Sequence, residues 1–163
     1  MTTLKEQLAT DLTKHLRAGD ELEKSTLRMA LSAIQSQEKA GKVEQQFDDA
    51  QVKTLLNKEV KKRHDTAEEF LAAAEKPGTT PERAALLRSK ADREAAEAGV
   101  LATYLPKPLD ADALARLVDE TIASTGASSM KDMGTVIKAV TAAAGGVVDG
   151  KAVSGLVKAR LQG

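Results

Sequence analysis

The chain has no cysteine and no tryptophan, and its only aromatic residues are Phe47, Phe70 and Tyr104. Without cysteine there is no disulfide, no thiolate nucleophile and no sulfur-ligated zinc site. A cysteine-free composition fits a reducing compartment. So few rings exclude a base-stacking platform of the single-strand-binding kind. Neither sign of charge dominates, since 24 Lys and Arg face 24 Asp and Glu. No global field therefore draws the molecule towards nucleic acid or membrane, and any binding face must come from how individual helices point their lysines. Long hydrophobic runs are missing too. No apolar stretch approaches the length that spans a bilayer, and residues Met1 to Glu6 lack an apolar signal region. These absences predict a soluble, cytoplasmic protein that does not associate with membrane. The two histidines, His15 and His64, form no HxxxH pair and stand near no acidic cluster at metal-ligand spacing, so neither a metal nor another cofactor is expected.

What is present is helical. Alanine, leucine, lysine and glutamate dominate, and the apolar residues recur at three- and four-residue intervals nearly throughout. Leu4, Leu8, Leu12 and Leu16 stripe a first helix that Ala18-Gly19 ends. Asp20 with Glu23 reads as a capping box for a second helix carrying Leu27, Ala30, Leu31 and Ile34. Gly41 falls in the next break. Asp48 or Asp49 caps a long third helix through Val52, Leu55, Leu56, Val60, Ala67, Phe70 and Leu71, which Pro77-Gly78 stops. Thr80-Pro81 starts a fourth, because proline suits the first helical position. Pro106-Lys107-Pro108 then marks a boundary, since each proline disfavours helix in the residue before it. Beyond it three short helices are predicted, capped by Asp110, by Ser128 or Ser129, and by Asp149, with Thr125-Gly126 and Gly145-Gly146 as stops. The expected fold is all-α, with a four-helix N-terminal domain over 1–105 and a smaller three-helix C-terminal domain over 106–163.

Three features bear on chemistry. Gly145 to Lys151 has the glycine-x4-glycine-lysine spacing of a phosphate-binding loop. Position 152 is Ala rather than the hydroxyl residue that magnesium needs, and no strand precedes the loop, so nucleotide hydrolysis is excluded. On the third helix, Glu59 and Arg63 fall within the apolar arc at ion-pair spacing, while Glu38 lies on the apolar arc of the second helix and Arg28 at its edge. An unpaired buried charge costs several kcal/mol, so these four are expected to meet in one structural network. On the opposite side of the third helix, Lys58, Lys61 and Lys62 form an exposed stripe able to contact phosphates. Lys131, Lys138, Lys151 and Lys158 offer the same in the tail. No nucleophile with a nearby base is visible, and no catalytic residue is assigned.

With these residues in view, the chain resembles the GatB/YqeY family over nearly its whole length. The matching stretches are Thr26-Leu27-Arg28 through Ala33-Ile34, Lys58-Glu59-Val60-Lys61-Lys62-Arg63, Leu101-Ala102-Thr103-Tyr104-Leu105-Pro106, Lys131-Asp132-Met133-Gly134, and Asp149-Gly150-Lys151 with Val153 and Leu156-Val157. The resemblance implies an all-helical fold of a larger N-terminal and a smaller C-terminal part. It also implies kinship with the tail of the B subunit of the glutamine-dependent tRNA amidotransferase, where the tail helps to hold tRNA. The family is described as having carbon–nitrogen ligase activity with glutamine as amido-N-donor, and that activity is expected to belong to the larger complex. Members often carry an arginine after the glycine that precedes the Asp-Gly-Lys turn. Here Gly146 is followed by Val147 and Val148, which leaves Lys151 as the cation of that turn. The expected function is thus a tRNA-binding accessory using Lys58, Lys61, Lys62, Lys131, Lys138 and Lys151. The alternative is a helical protein–protein module, docking on a partner of the translation or tRNA-charging machinery without touching RNA.

Overall fold

A computed structural model describes residues 1–41, 43–145 and 148–163. The fold is all-α, with no strand among the described residues. Its elements are α1 (Leu4–Ala18), α2 (Glu21–Lys39), α3 (Asp49–Ala74), α4 (Pro81–Ala102), α5 (Ala111–Thr125), a 3₁₀ turn (Met130–Asp132), α6 (Met133–Ala143) and α7 (Gly150–Gln162). The chain divides into two compact units, Met1–Leu105 and Pro106–Gly163.

Local chemistry sets the helix ends. Asp48 and Gln51 form a reciprocal capping box, the Asp48 carboxylate accepting from the Gln51 N–H and the Gln51 side chain from the Asp48 N–H. The Thr80 hydroxyl accepts from the Arg83 N–H, with Pro81 opening α4. Asp110 caps α5 and Asp149 caps α7 through their carboxylates. The α1–α2 turn is closed by Gly19 at φ 80°, a left-handed conformation that a side chain would strain. The capping box expected at Asp20 and Glu23 does not form, because Asp20 gives α2 no side-chain hydrogen bond. Its carboxylate lies instead 2.7 Å from His15 Nδ1, across the turn. The tight left-handed corner brings the end of α1 closer to Asp20 than the first amides of α2.

In the first unit, Leu4 and Leu8 of α1, Leu27, Ala30 and Ile34 of α2, Val52 and Leu56 of α3 and Leu101 of α4 make one buried cluster. Each fully buried Leu, Ile or Val contributes roughly 1.5–3 kcal/mol. Helices α3 and α4 form the most extensive pair. Away from the cluster their seam is lined by alanine: Ala67 and Ala74 on α3, and Ala84, Ala91 and Ala98 on α4, are all buried. Alanine lets two helices approach closely but removes little apolar surface from water. Leu71 on α3 and Leu86 on α4 are exposed. In the second unit, Leu114 and Val118 of α5, Val136 and Val140 of α6 and Val153 and Val157 of α7 form the core.

Candidate functional site

The lysine stripe on α3 lies where its spacing puts it. Lys58, Lys61 and Lys62 are all exposed. Lys61 pairs with Asp65 one turn on, Nζ to Oδ2 at 3.1 Å, in a solvated contact that contributes a few tenths of a kcal/mol. In the second unit Lys131 is exposed on the 3₁₀ turn, Lys138 on α6, and Lys151 in the first turn of α7, where its backbone N–H donates to Asp149 Oδ1 at 2.9 Å. Next to Lys131, the N–H groups of Ser128 and Ser129 hold the Asp132 carboxylate below its usual pKa. The Asp132 charge is therefore spent on shaping this turn. The turn residues Gly146 and Val147, where the family's arginine would stand, lie outside the described residues, as does the middle of the glycine-x4-glycine-lysine loop.

The four charges expected to form one network are separated. Arg28 is exposed on α2, and Glu59 is half-buried with no ion pair among the described residues. Arg63 is buried as expected, but its partners come from α4: Nη1 pairs closely with Glu97 Oε2 and lies 3.6 Å from Glu94 Oε2. Glu97 is buried too, and Arg93 reaches it from the surface, Nε to Oε1 at 3.0 Å. Glu38 forms a second, separate site. Its Oε2 accepts from Lys5 Nζ at 2.6 Å and its Oε1 from the Phe47 N–H at 2.9 Å. Together these bonds hold its carboxylate below the ordinary value, the lysine contributing most. The reason for the correction is geometric. Helical periodicity places a residue on an arc, and an arc as wide as that of α3 touches more than one neighbour.

Sequence reading missed three residues. Glu97 follows Arg93 by four and adjoins the Ala84–Ala91–Ala98 row, a spacing that marks it as facing α3. Tyr104 donates its hydroxyl to Asp11 Oδ2 at 2.7 Å, which pins the end of α4 to α1; burial, then that carboxylate, pushes the phenol upward. Phe47 is the third. It lines an open groove of about 330 Å³ with Gln37, Asp48, Ala50, Gln51, Thr54, Leu55 and Lys58. Metal-ligand residue types do gather in one place, contrary to the spacing argument: donor atoms of His15, Asp20 and Glu23 lie within 4.8 Å of one another. Two of the three, His15 and Asp20, are in direct contact at 2.7 Å. No described helix is long and apolar enough to cross a membrane.

These features define a helical protein whose buried charges pair with one another or with nearby lysine and arginine, and whose candidate lysines stand on exposed helix and turn surfaces. The chain belongs to the YqeY-like protein family, whose model matches residues 5–161. No curated protein matches it.

Proposed function

We propose that the protein is a tRNA-binding accessory, related to the tail of the glutamine-dependent tRNA amidotransferase, in which bond-making belongs to other polypeptides. The observation that carries this reading is the exposure of all six candidate lysines, Lys58, Lys61, Lys62, Lys131, Lys138 and Lys151. Meanwhile Arg63, Glu97 and Glu38, the charged residues buried inside, have ion-pair partners. Exposed lysine ammonium groups fit phosphates, which they position against without reading sequence. Carbon–nitrogen ligation with glutamine as amido donor, the activity by which the family is described, is assigned here to an assembly that this chain would join. The second reading, a protein-docking module, draws on two exposed leucines, Leu71 on α3 and Leu86 on α4.

Titration of labelled tRNA at a series of salt concentrations tests the proposal. Affinity should fall by nearly one log unit per log of salt for each phosphate neutralised. Lys131→Glu with Lys151→Glu should weaken binding sharply if the second unit holds the RNA. Absence of binding even at low salt would discard the proposal in favour of a protein partner.

A further inference from the structure

The groove beside Lys58 is built from side chains of a kind that the lysine stripe lacks. Phe47 is half-buried and stands in its wall, giving an aromatic surface next to Leu55. Gln37 and Gln51 bring carboxamides, and Lys58, for which no ion pair is found among the described residues, lines the groove as well. At 100° and 1.5 Å per residue, Gln51, Leu55, Lys58 and Lys62 fall on one face of α3, so the groove opens into the stripe within about two helical turns. Asp48 lines the groove as well, but its Oδ1 is occupied by the Gln51 N–H at 2.8 Å. The Gln51 side-chain oxygen accepts from the Asp48 N–H, which leaves the amide nitrogen of Gln51 to donate outward.

The wall is held in place from inside. The loop before α3 is fastened to the end of α2 twice, by the Gln45 N–H donating to the Glu38 carbonyl at 3.1 Å and the Phe47 N–H donating to Glu38 Oε1. Lys5 balances the charge of that carboxylate. The buried Glu38 thus positions the backbone that carries the ring before any ligand arrives, and such preorganisation lowers the ordering cost of binding. The volume is at the lower end for small-ligand sites, suited to one base with its sugar.

We infer that this groove takes a single unpaired nucleotide of a bound RNA, its base against the Phe47 ring, its edge at the Gln37 and Gln51 amides and its phosphate at Lys58. The inference rests on the tRNA-binding reading and narrows it: lysines hold the backbone, and one ring selects single-stranded over paired positions. One ring against one base differs from a stacking platform, so the scarcity of aromatics does not exclude it. Amides that both donate and accept suit a base edge better than an apolar peptide side chain.

Fluorescence anisotropy with three probes tests this: labelled tRNA, a labelled single-stranded RNA hexamer, and the hexamer annealed into a blunt duplex. The hexamer should bind more tightly than the duplex. Phe47→Leu keeps the apolar filling and removes the stacking surface, and should weaken hexamer binding at least about fivefold. The slope of log affinity against log salt should stay unchanged, because no phosphate contact is lost. Lys58→Gln should reduce that slope by about one, and Phe47→Trp should retain affinity. Gln37→Ala gives a second arm should Phe47→Leu fail to fold, and is expected to weaken the hexamer without changing the slope. If tRNA binds but Phe47→Leu and Gln37→Ala bind all probes as the parent does, the groove assignment fails and the tRNA reading stands. If the parent protein binds no RNA at low salt, both fall together.

Discussion

Removing the carboxylate of Glu97 should destabilise the first unit strongly, and removing Arg63 with it should largely repair the damage. With Glu97→Leu, Arg63 keeps Glu94 at 3.6 Å, and its Nε already lacks a hydrogen-bond partner among the described residues. Breaking a buried ion pair on one side costs 3–5 kcal/mol in comparable cases, and the remaining Glu94 argues for the low end, about 3 kcal/mol. For a unit of this size that lowers the melting temperature by on the order of 10 °C or more. Arg63→Met should cost less, because Glu97 keeps Arg93 at 3.0 Å, a guanidinium already turned to solvent. In the double variant Arg63→Met/Glu97→Leu no charge is left stranded, and stability should return to within about 1 kcal/mol of the parent. The protein supplies its own probe, since its single tyrosine, Tyr104, lies in the first unit and there is no tryptophan. Urea unfolding followed by tyrosine fluorescence therefore reports that unit alone. A double variant as unstable as the sum of the two single ones would refute the argument.

Two further predictions concern local chemistry. The folded pKa of Glu38 is lowered, first by Lys5 and then by the Phe47 N–H. Its contribution is therefore present at neutral pH and lost as pH falls below the ordinary value of 4.5 and through the depressed folded one. Glu38→Gln should flatten the acid limb of first-unit stability, and an acid limb matching the parent's would count against the assignment. In the second unit, Gly126 ends α5 at φ 67°. Gly126→Ala should destabilise that unit by about 1 kcal/mol, read as a lower melting temperature by circular dichroism, and an unchanged melt would mean that the turn relaxes.

The helical class was legible because apolar spacing, caps and stops agreed along the chain. Asp48, Thr80, Asp110 and Asp149 cap as their types and positions predict. Asp20 does not, because a capping signal is local while its competitor, His15, arrives across a turn whose geometry the spacing does not encode. The exposed lysines were readable for a similar reason: a stripe opposite an apolar arc is a property of one helix. The partners of Arg63 and Glu38 depend on which helix lies alongside, and one sequence without its fold cannot rank the candidates. Glu97 was hidden further by its surroundings, since a glutamate in a stretch as charged as Arg88 to Glu97 looks solvated until the alanine row beside it is given weight.

That alanine row also explains why a buried ion pair is found there at all. The buried positions of this part of the seam, Ala67 and Ala74 on one helix and Ala84, Ala91 and Ala98 on the other, repeat the same small side chain every seven residues. Such a surface packs closely but is nearly indifferent to a slip of one heptad, because alanine would meet alanine again. Arg63 and Glu97 remove that indifference. A slip of seven residues would bring Lys90 or Tyr104 to the level of Arg63, the first adding a like charge and the second leaving the guanidinium without a carboxylate. The pair then acts on register rather than on net stability, consistent with a double hydrophobic replacement that keeps the stability and loosens the alignment. Measured after that replacement, a position of α4 against α3 as sharply defined as in the parent, by cross-links placed along the seam, would show that the apolar cluster at Leu56 and Leu101 sets the register unaided.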